Sequence, residues 1–236
     1  MKKIIAFLLG LCLLFPLSGC FRVRVGQDAG AGAGAGDSDP SGETQRENVI
    51  GEEGGDVALL EGEYEKLLRE GLGELYPCQF VLVYAEDEED YLTFAPSSSM
   101  NALLLSCGGD SVTSAYLSLN LHVDDAFIAA HSPELIVKWV SGSVLGENIS
   151  STAAARAVQR GILSRDGLKD VPAVKTGNVL VLSKQLLESE GGETLAKLFL
   201  ARSMYPVLFP DIDLAAVSRE LVGEGIFFYD GDEPSE

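Results

Sequence analysis

Four apolar residues in a row, Val179-Leu180-Val181-Leu182, follow a turn signal, Lys175-Thr176-Gly177-Asn178. The run is too short for a helix and has no polar face, so it fits a strand buried on both sides. Such strands belong to parallel sheets whose two faces are covered by helices. The flanking sequence supplies helices: Thr152 to Leu163 upstream and Gly192 to Tyr205 downstream both follow a helical pattern. The expected fold class is therefore α/β: a single Rossmann-like lobe, a mostly parallel sheet with helices on both faces.

The rest of the chain between residues 57 and 229 extends this pattern. Leu59, Leu60, Tyr64, Leu67, Leu68 and Leu72 recur at helical spacing with charged residues between them, and Gly71 or Gly73 ends that helix. Phe80 to Tyr84 reads as a strand. Ser97-Ser98-Ser99 offers a cap for a helix over Met100 to Cys107, and Gly108-Gly109 stops it. Asp124 or Asp125 caps Ala126 to His131, Pro133 ends that helix, and Leu135 to Val140 returns as a strand. Leu195, Leu198, Phe199 and Met204 give the penultimate helix an apolar face, and Asp211-Ile212-Asp213 begins a last helix over Leu214 to Val222. A lobe of this size has a single core.

Residues 1–20 read as a lipoprotein signal peptide. Lys2 and Lys3 precede an apolar segment, Ile4 to Leu17, which ends in Leu17-Ser18-Gly19-Cys20. The apolar run is shorter than the ~20 residues a membrane span needs. The Leu-Ser-Gly-Cys end resembles a bacterial lipobox, which makes Cys20 the lipidated first residue of the mature protein. The expected location is extracytoplasmic, lipid-anchored to the bacterial cell membrane. Residues 21–56 are Ala-Gly repeats, Ser, Pro and acids, a composition that cannot bury enough surface to offset chain entropy. As a flexible tether they would hold the lobe roughly 30 Å from the membrane. Residues 230–236 form a short acidic tail. Cleavage before Cys20 removes two of 17 basic side chains and none of the 36 acidic ones, from a chain whose net charge is already −19. Such a surface excludes a nucleic-acid partner.

In open α/β sheets, ligands bind beyond the carboxyl ends of the strands. Here those ends are the loops after Tyr84, Val140 and Ser183. Glu86, Tyr91, Trp139, Ser141 and Lys184 lie there and are the candidate ligand contacts. The acidic run Glu86-Asp87-Glu88-Glu89-Asp90 fits either a solvated loop or an attractor for cationic ligands, and it should disfavour anionic chelates. Trp139 fits either a stacking platform for a flat ligand or a core residue.

Two segments carry a resemblance to a known family. Leu168 to Leu182, L-K-D-V-P-A-V-K-T-G-N-V-L-V-L, and Leu200 to Asp213, L-A-R-S-M-Y-P-V-L-F-P-D-I-D, resemble the end of the periplasmic binding proteins that deliver iron-siderophores, haem and cobalamin to ABC importers. Ser132 to Val137 and Ser106 to Asp110 resemble two further segments of that family, so the similarity covers about residues 63 to 213. The family has two lobes with the ligand between them, and the resemblance is to the second lobe. It implies non-covalent binding of a metal chelate or corrin, with an importer permease and a second lobe or second copy as partners. It also implies that an acid near the start of the penultimate helix docks on the permease; Glu188, Glu190 and Glu193 occupy that neighbourhood.

Catalytic motifs are absent: there is no G-x-S-x-G, no phosphate-cradling G-x-x-x-x-G-K, no C-x-x-C and no H-E-x-x-H. The two histidines, His122 and His131, flank a helix and are too few for a zinc or manganese site. No enzyme activity, cofactor or metal is expected. Cys78 opens a strand and Cys107 closes the next helix, which allows either a disulfide or two buried free thiols. The function expected is a membrane-tethered solute-binding lipoprotein, with a non-transport interaction or scaffold lipoprotein as the alternative. The anchor is directly testable: Cys20→Ala should move the protein from the detergent phase to the aqueous phase on phase partitioning. Identical partitioning of variant and parent would refute lipidation at Cys20.

Overall fold

Aliphatic runs with no polar alternation form the centre of the sheet, and short segments without such a run form its edges. A computed structural model of the chain describes residues 53–73, 75, 79–116 and 121–231, which belong to one compact unit. The five strands are β1 (Val81–Glu86), β2 (Gly109–Ser111), β3 (Leu135–Val140), β4 (Val179–Ser183) and β5 (Phe228–Tyr229). Their order in the sheet is β2-β1-β3-β4-β5. The first four are mutually parallel, and β5 runs antiparallel to β4. The α/β lobe with a mostly parallel sheet is therefore present.

Helices cover both faces. Side chains alternate along each strand, so Val83 and Ala85 of β1, Leu135, Val137 and Trp139 of β3, and Leu180 and Leu182 of β4 share one face. They pack under α1 (Glu53–Leu72), α2 (Ser99–Ser106), α6 (Gly192–Met204) and α7 (Leu214–Leu221). On the opposite face Tyr84, Ile136 and Val179 pack against Ile128 of α3 (Asp125–His131), Ile162 of α4 (Ala153–Leu163) and Ala173 of α5 (Pro172–Thr176). Caps follow the polar residues before the helices: Ser98 Oγ accepts from Asn101 N, Asp124 from Phe127 N, and Asp213 from Ala215 N and Ala216 N.

The structure departs from the sequence reading at four places. Helix α1 begins at Glu53, four residues inside the segment read as tether. Residues Pro172–Thr176 form a one-turn helix where the sequence suggested only a turn, with Pro at its start and Gly177 at φ 74° closing it. Strands β2 and β5, three and two residues long, carry no apolar run long enough to announce them. Strand β1 continues through Ala85 to Glu86, two residues past the expected end. The signal peptide with Cys20, most of the tether, Cys78 and residues 232–236 lie outside the described residues. Among the described residues no helix is long and apolar enough to cross a membrane.

Candidate functional site

Strand β1 connects to β2 on one side of the sheet, whereas β3 connects through α4 to β4 on the other. The chain thus diverges in opposite directions from the neighbouring strands β1 and β3. Divergence of this kind leaves a crevice beyond their carboxyl ends. A cavity of about 590 Å³ lies there. Glu88, Asp90 and Tyr91 line it from the loop after β1, Lys138, Val140, Ser141 and Val144 from the end of β3 and its loop, and Val158, Gly161, Ile162 and Arg165 from α4 and just beyond.

Its floor is an ion cluster produced by strand register. Glu86 of β1 and Lys138 of β3 are paired neighbours in the parallel ladder, so both side chains emerge on the face that α4 covers. Lys138 Nζ donates to Glu86 Oε1 at 2.9 Å. Arg165 closes the cluster with a two-pronged contact, Nη1 to Oε2 at 2.7 Å and Nη2 to Oε1 at 2.8 Å. Tyr84 donates its hydroxyl to Glu86 Oε2 at 3.1 Å. Asp90 Oδ1 completes it, 3.0 Å from Lys138 Nζ and 3.3 Å from Arg165 Nη2. The side chain of Glu86 is 0% exposed, that of Lys138 4% and that of Arg165 10%, whereas Asp90 is 71% exposed.

The charges tune one another. Burial pushes the Glu86 carboxyl up, but hydrogen bonds and charge from Arg165 and Lys138 outweigh it and hold the group below its ordinary value. The Asp90 carboxyl is also lowered, chiefly by the Lys138 hydrogen bond. Burial disfavours the Arg165 cation, yet Glu86 more than compensates and raises its pKa. Burial and the neighbouring Glu86 carboxylate push the Tyr84 hydroxyl up, so it stays a donor.

Tyr91 is bent into place. It adopts φ 62°, a left-handed conformation rare for an aromatic residue and costing roughly 1–3 kcal/mol. Three contacts hold it: its carbonyl accepts from Val123 N at 3.0 Å, its hydroxyl donates to Asp125 Oδ1 at 2.9 Å, and the Arg165 guanidinium lies 4.3 Å from its ring centroid.

The sequence candidates divide accordingly. Tyr91 and Ser141 line the cavity. Glu86 lies beneath it, fully buried. Lys184 is turned toward the acidic loop, where its ammonium contacts Asp87 and lies 3.6 Å from Glu88. Trp139 has no exposed surface and belongs to the core on the opposite face, because β3 alternation puts it out of phase with Lys138 and Val140; it is no stacking platform. The acidic run divides: Glu86 is buried and Asp87 partly so, Glu88, Glu89 and Asp90 are exposed as a solvated loop would be, and Glu86, Asp87, Glu88 and Asp90 each meet a Lys or Arg that offsets their charge. Its expected repulsion of anionic chelates is correspondingly reduced. The charged site residues the sequence reading missed are Lys138 and Arg165. Their signal was the parity of Tyr84 with Glu86 and of Ile136 with Lys138, which puts opposite charges on the same buried face of two neighbouring strands, with a basic residue following α4.

The other candidates lie elsewhere. Glu188 and Glu190 are exposed just before α6, and Glu193 in its first turn pairs with Lys197 at 2.9 Å. His131 sits between the Phe127 carbonyl and the Tyr116 hydroxyl, both at 2.8 Å. Among the described residues no group of three or more His, Cys, Asp or Glu could hold a metal ion. Cys107 is a buried free thiol whose Sγ donates to Leu103 O at 3.1 Å, and burial pushes its pKa up to about 12.

No family model matches the chain, and no curated protein matches it by sequence. Solved structures do. A TroA-like periplasmic binding protein, FepB from Veillonella parvula, superposes with a TM-score of 0.62 at 18% identity, over 75% of this chain and 56% of that one. CeuE from Helicobacter pylori, with Ni(II) bound, gives 0.52 at 15% identity over 70% and 50%. MolA from Haemophilus influenzae, a molybdate periplasmic binding protein of an ABC transporter, gives 0.51 at 18% identity over 71% and 50%. The chain spans about half the length of these structures. It has the α/β fold of TroA-like periplasmic binding proteins over that half.

Replacing Glu86 tests the cluster. Glu86→Ala leaves Arg165 and Lys138 without their buried counter-charge and should cost about 3–5 kcal/mol of stability. The parent's Glu86 has a folded pKa below its unfolded value, so its contribution is full above about pH 4.3 and is lost as pH falls through the folded pKa. Denaturant melts from pH 7 to pH 3 should therefore show a shallower acid loss in Glu86→Ala than in the parent. Parallel profiles with little offset would show that the cluster contributes nothing.

Proposed function

We propose that this chain is an extracytoplasmic solute-binding lobe of an ABC importer, anchored to the membrane through lipid on Cys20 and a tether that ends where α1 begins at Glu53. The observation that carries the reading is the cavity beyond the carboxyl ends of β1 and β3, at the point where ligands of open α/β sheets bind. Its apolar wall, Val140, Val144, Val158 and Ile162, faces a charged floor that is held in place before any ligand arrives. That combination suits an amphipathic solute bound without covalent chemistry. The fold neighbours include one protein with Ni(II) bound and one bound to molybdate, and the sequence resemblance is to carriers of metal chelates and corrins. A ferric siderophore, haem or cobalamin is the proposed ligand class, with the permease docking near Glu188, Glu190 and Glu193.

The cavity is open, and one lobe covers one side of a ligand, whereas closed pockets bury about 70–90% of a drug-sized molecule. Forfeiting even ~3–4 kcal/mol of contact weakens binding several hundredfold. The monomeric full chain should thus bind ferric siderophore, haem or cobalamin no tighter than micromolar, and tighter binding should need a dimer or a partner lobe.

Gly161 provides the test of location. It lines the cavity from α4, and a side chain added there meets nothing within 4 Å. Gly161→Trp should abolish the binding seen by isothermal titration while leaving the thermal midpoint near the parent's, and Gly161→Ala should stabilise by up to about 1 kcal/mol through helix propensity. Unchanged affinity in a folded Gly161→Trp protein would place the ligand elsewhere. No binding of any of the three solutes would favour the interaction or scaffold reading.

A further inference from the structure

The cluster beneath the cavity has three buried members and one exposed one. Glu86 carries one negative charge, Lys138 and Arg165 two positive charges, and none of these side chains is more than 10% exposed. Together they leave one uncompensated positive charge at the cavity floor, an arrangement that is costly in a poorly solvated position unless an anion covers it. Asp90 is that anion. It differs from the other three: it sits in the loop after β1, it is 71% exposed, and a single oxygen, Oδ1, serves both cations.

Resting on the cavity as the ligand site, we propose that Asp90 stands in for a carboxylate of the ligand: Lys138 and Arg165 form an anion site that the chain covers with its own side chain. The solute class is a small molecule bearing a carboxylate, whose group takes the Lys138 N–H donor and the Arg165 ion pair now given to Asp90. The Arg165 guanidinium is suited to this exchange because Glu86 and the Tyr91 ring hold it in a fixed plane. The Asp90-covered state acts as a competitor present in every molecule, and it lowers apparent affinity by the fraction of time it occupies the site.

The probe is citrate, titrated into the full chain in detergent micelles and followed by amide chemical shifts. Asp90→Ala and the shape-preserving Asp90→Asn should each bind citrate at least about tenfold more tightly than the parent, since the internal competitor is gone. Asp87→Asn removes the same charge from the same loop but from a residue that does not line the cavity and contacts Lys184. It should stay within about twofold of the parent, the range expected of screened surface charge. Adding Gly161→Trp to Asp90→Ala should remove the citrate response. Thermal melts confirm that each variant is folded, and Asp90→Asn serves where Asp90→Ala is not. Equal citrate affinity in parent and both Asp90 variants overturns the proposal, as does an equal gain in Asp87→Asn. If Gly161→Trp still blocks the binding of a siderophore, haem or cobalamin in that case, the cavity remains the ligand site and only the role of Asp90 falls.

Discussion

Glu86 is a carboxylate with no exposed surface, and the geometry of the cavity follows from how its charge is met. Removing a carboxylate from water costs several kcal/mol, and the attraction of a partner offsets this only when the contact geometry is good. Here the geometry is good because three separate parts of the chain converge. The parallel register places Lys138 beside Glu86, the end of α4 brings the Arg165 fork onto both carboxylate oxygens, and Tyr84 donates from two residues back on the same strand face. The Lys138 and Arg165 contacts tie β3 and the segment after α4 to the carboxyl end of β1, and Tyr84 fixes the carboxylate from within the strand. The cluster thus couples β1, β3 and the segment after α4 at the place where the sheet opens.

Its consequence is a site shaped in advance. Arg165, held by Glu86, lies against Tyr91, and Tyr91 keeps its left-handed backbone because Arg165, Asp125 and Val123 hold it. The strain there, roughly 1–3 kcal/mol, is offset by these three contacts. The apolar wall from α4 and the loop after β3 stands over this floor. An amphipathic solute would meet fixed dipoles and a fixed surface, which lowers the ordering cost of binding.

Much of the architecture was legible in the amino-acid pattern because burial on two faces leaves aliphatic runs such as Val179 to Leu182 and Leu135 to Val137, and because Ser98, Asp124 and Asp213 mark helix starts by their side-chain chemistry. The edge strands were not, since Gly109–Ser111 and Phe228–Tyr229 owe their pairing to neighbours and not to their own composition. The site was legible in place but not in detail. The carboxyl edge and two lining residues, Tyr91 and Ser141, were within reach. Glu86 looked like the first residue of an acidic loop because four of the next residues are acidic or exposed, whereas it is the last residue of a strand. Trp139 drew attention as an aromatic beside a loop, but one step of alternation turns it from the site into the core. Arg165 lies 79 residues from its partner, a separation no local pattern reports.

One buried cluster holds the site together, so its loss should loosen the loop after β1 more than the sheet. Amide hydrogen exchange of the full chain, comparing parent with Arg165→Met under conditions where both are folded, reads this residue by residue. Taking one partner from the buried Glu86 lowers protection throughout by the fall in global stability, and residues 87–93 and the end of α4 should lose more than the amides of β3 and β4. Protection of residues 87–93 that is unchanged, or that falls no further than in β3 and β4, would contradict this.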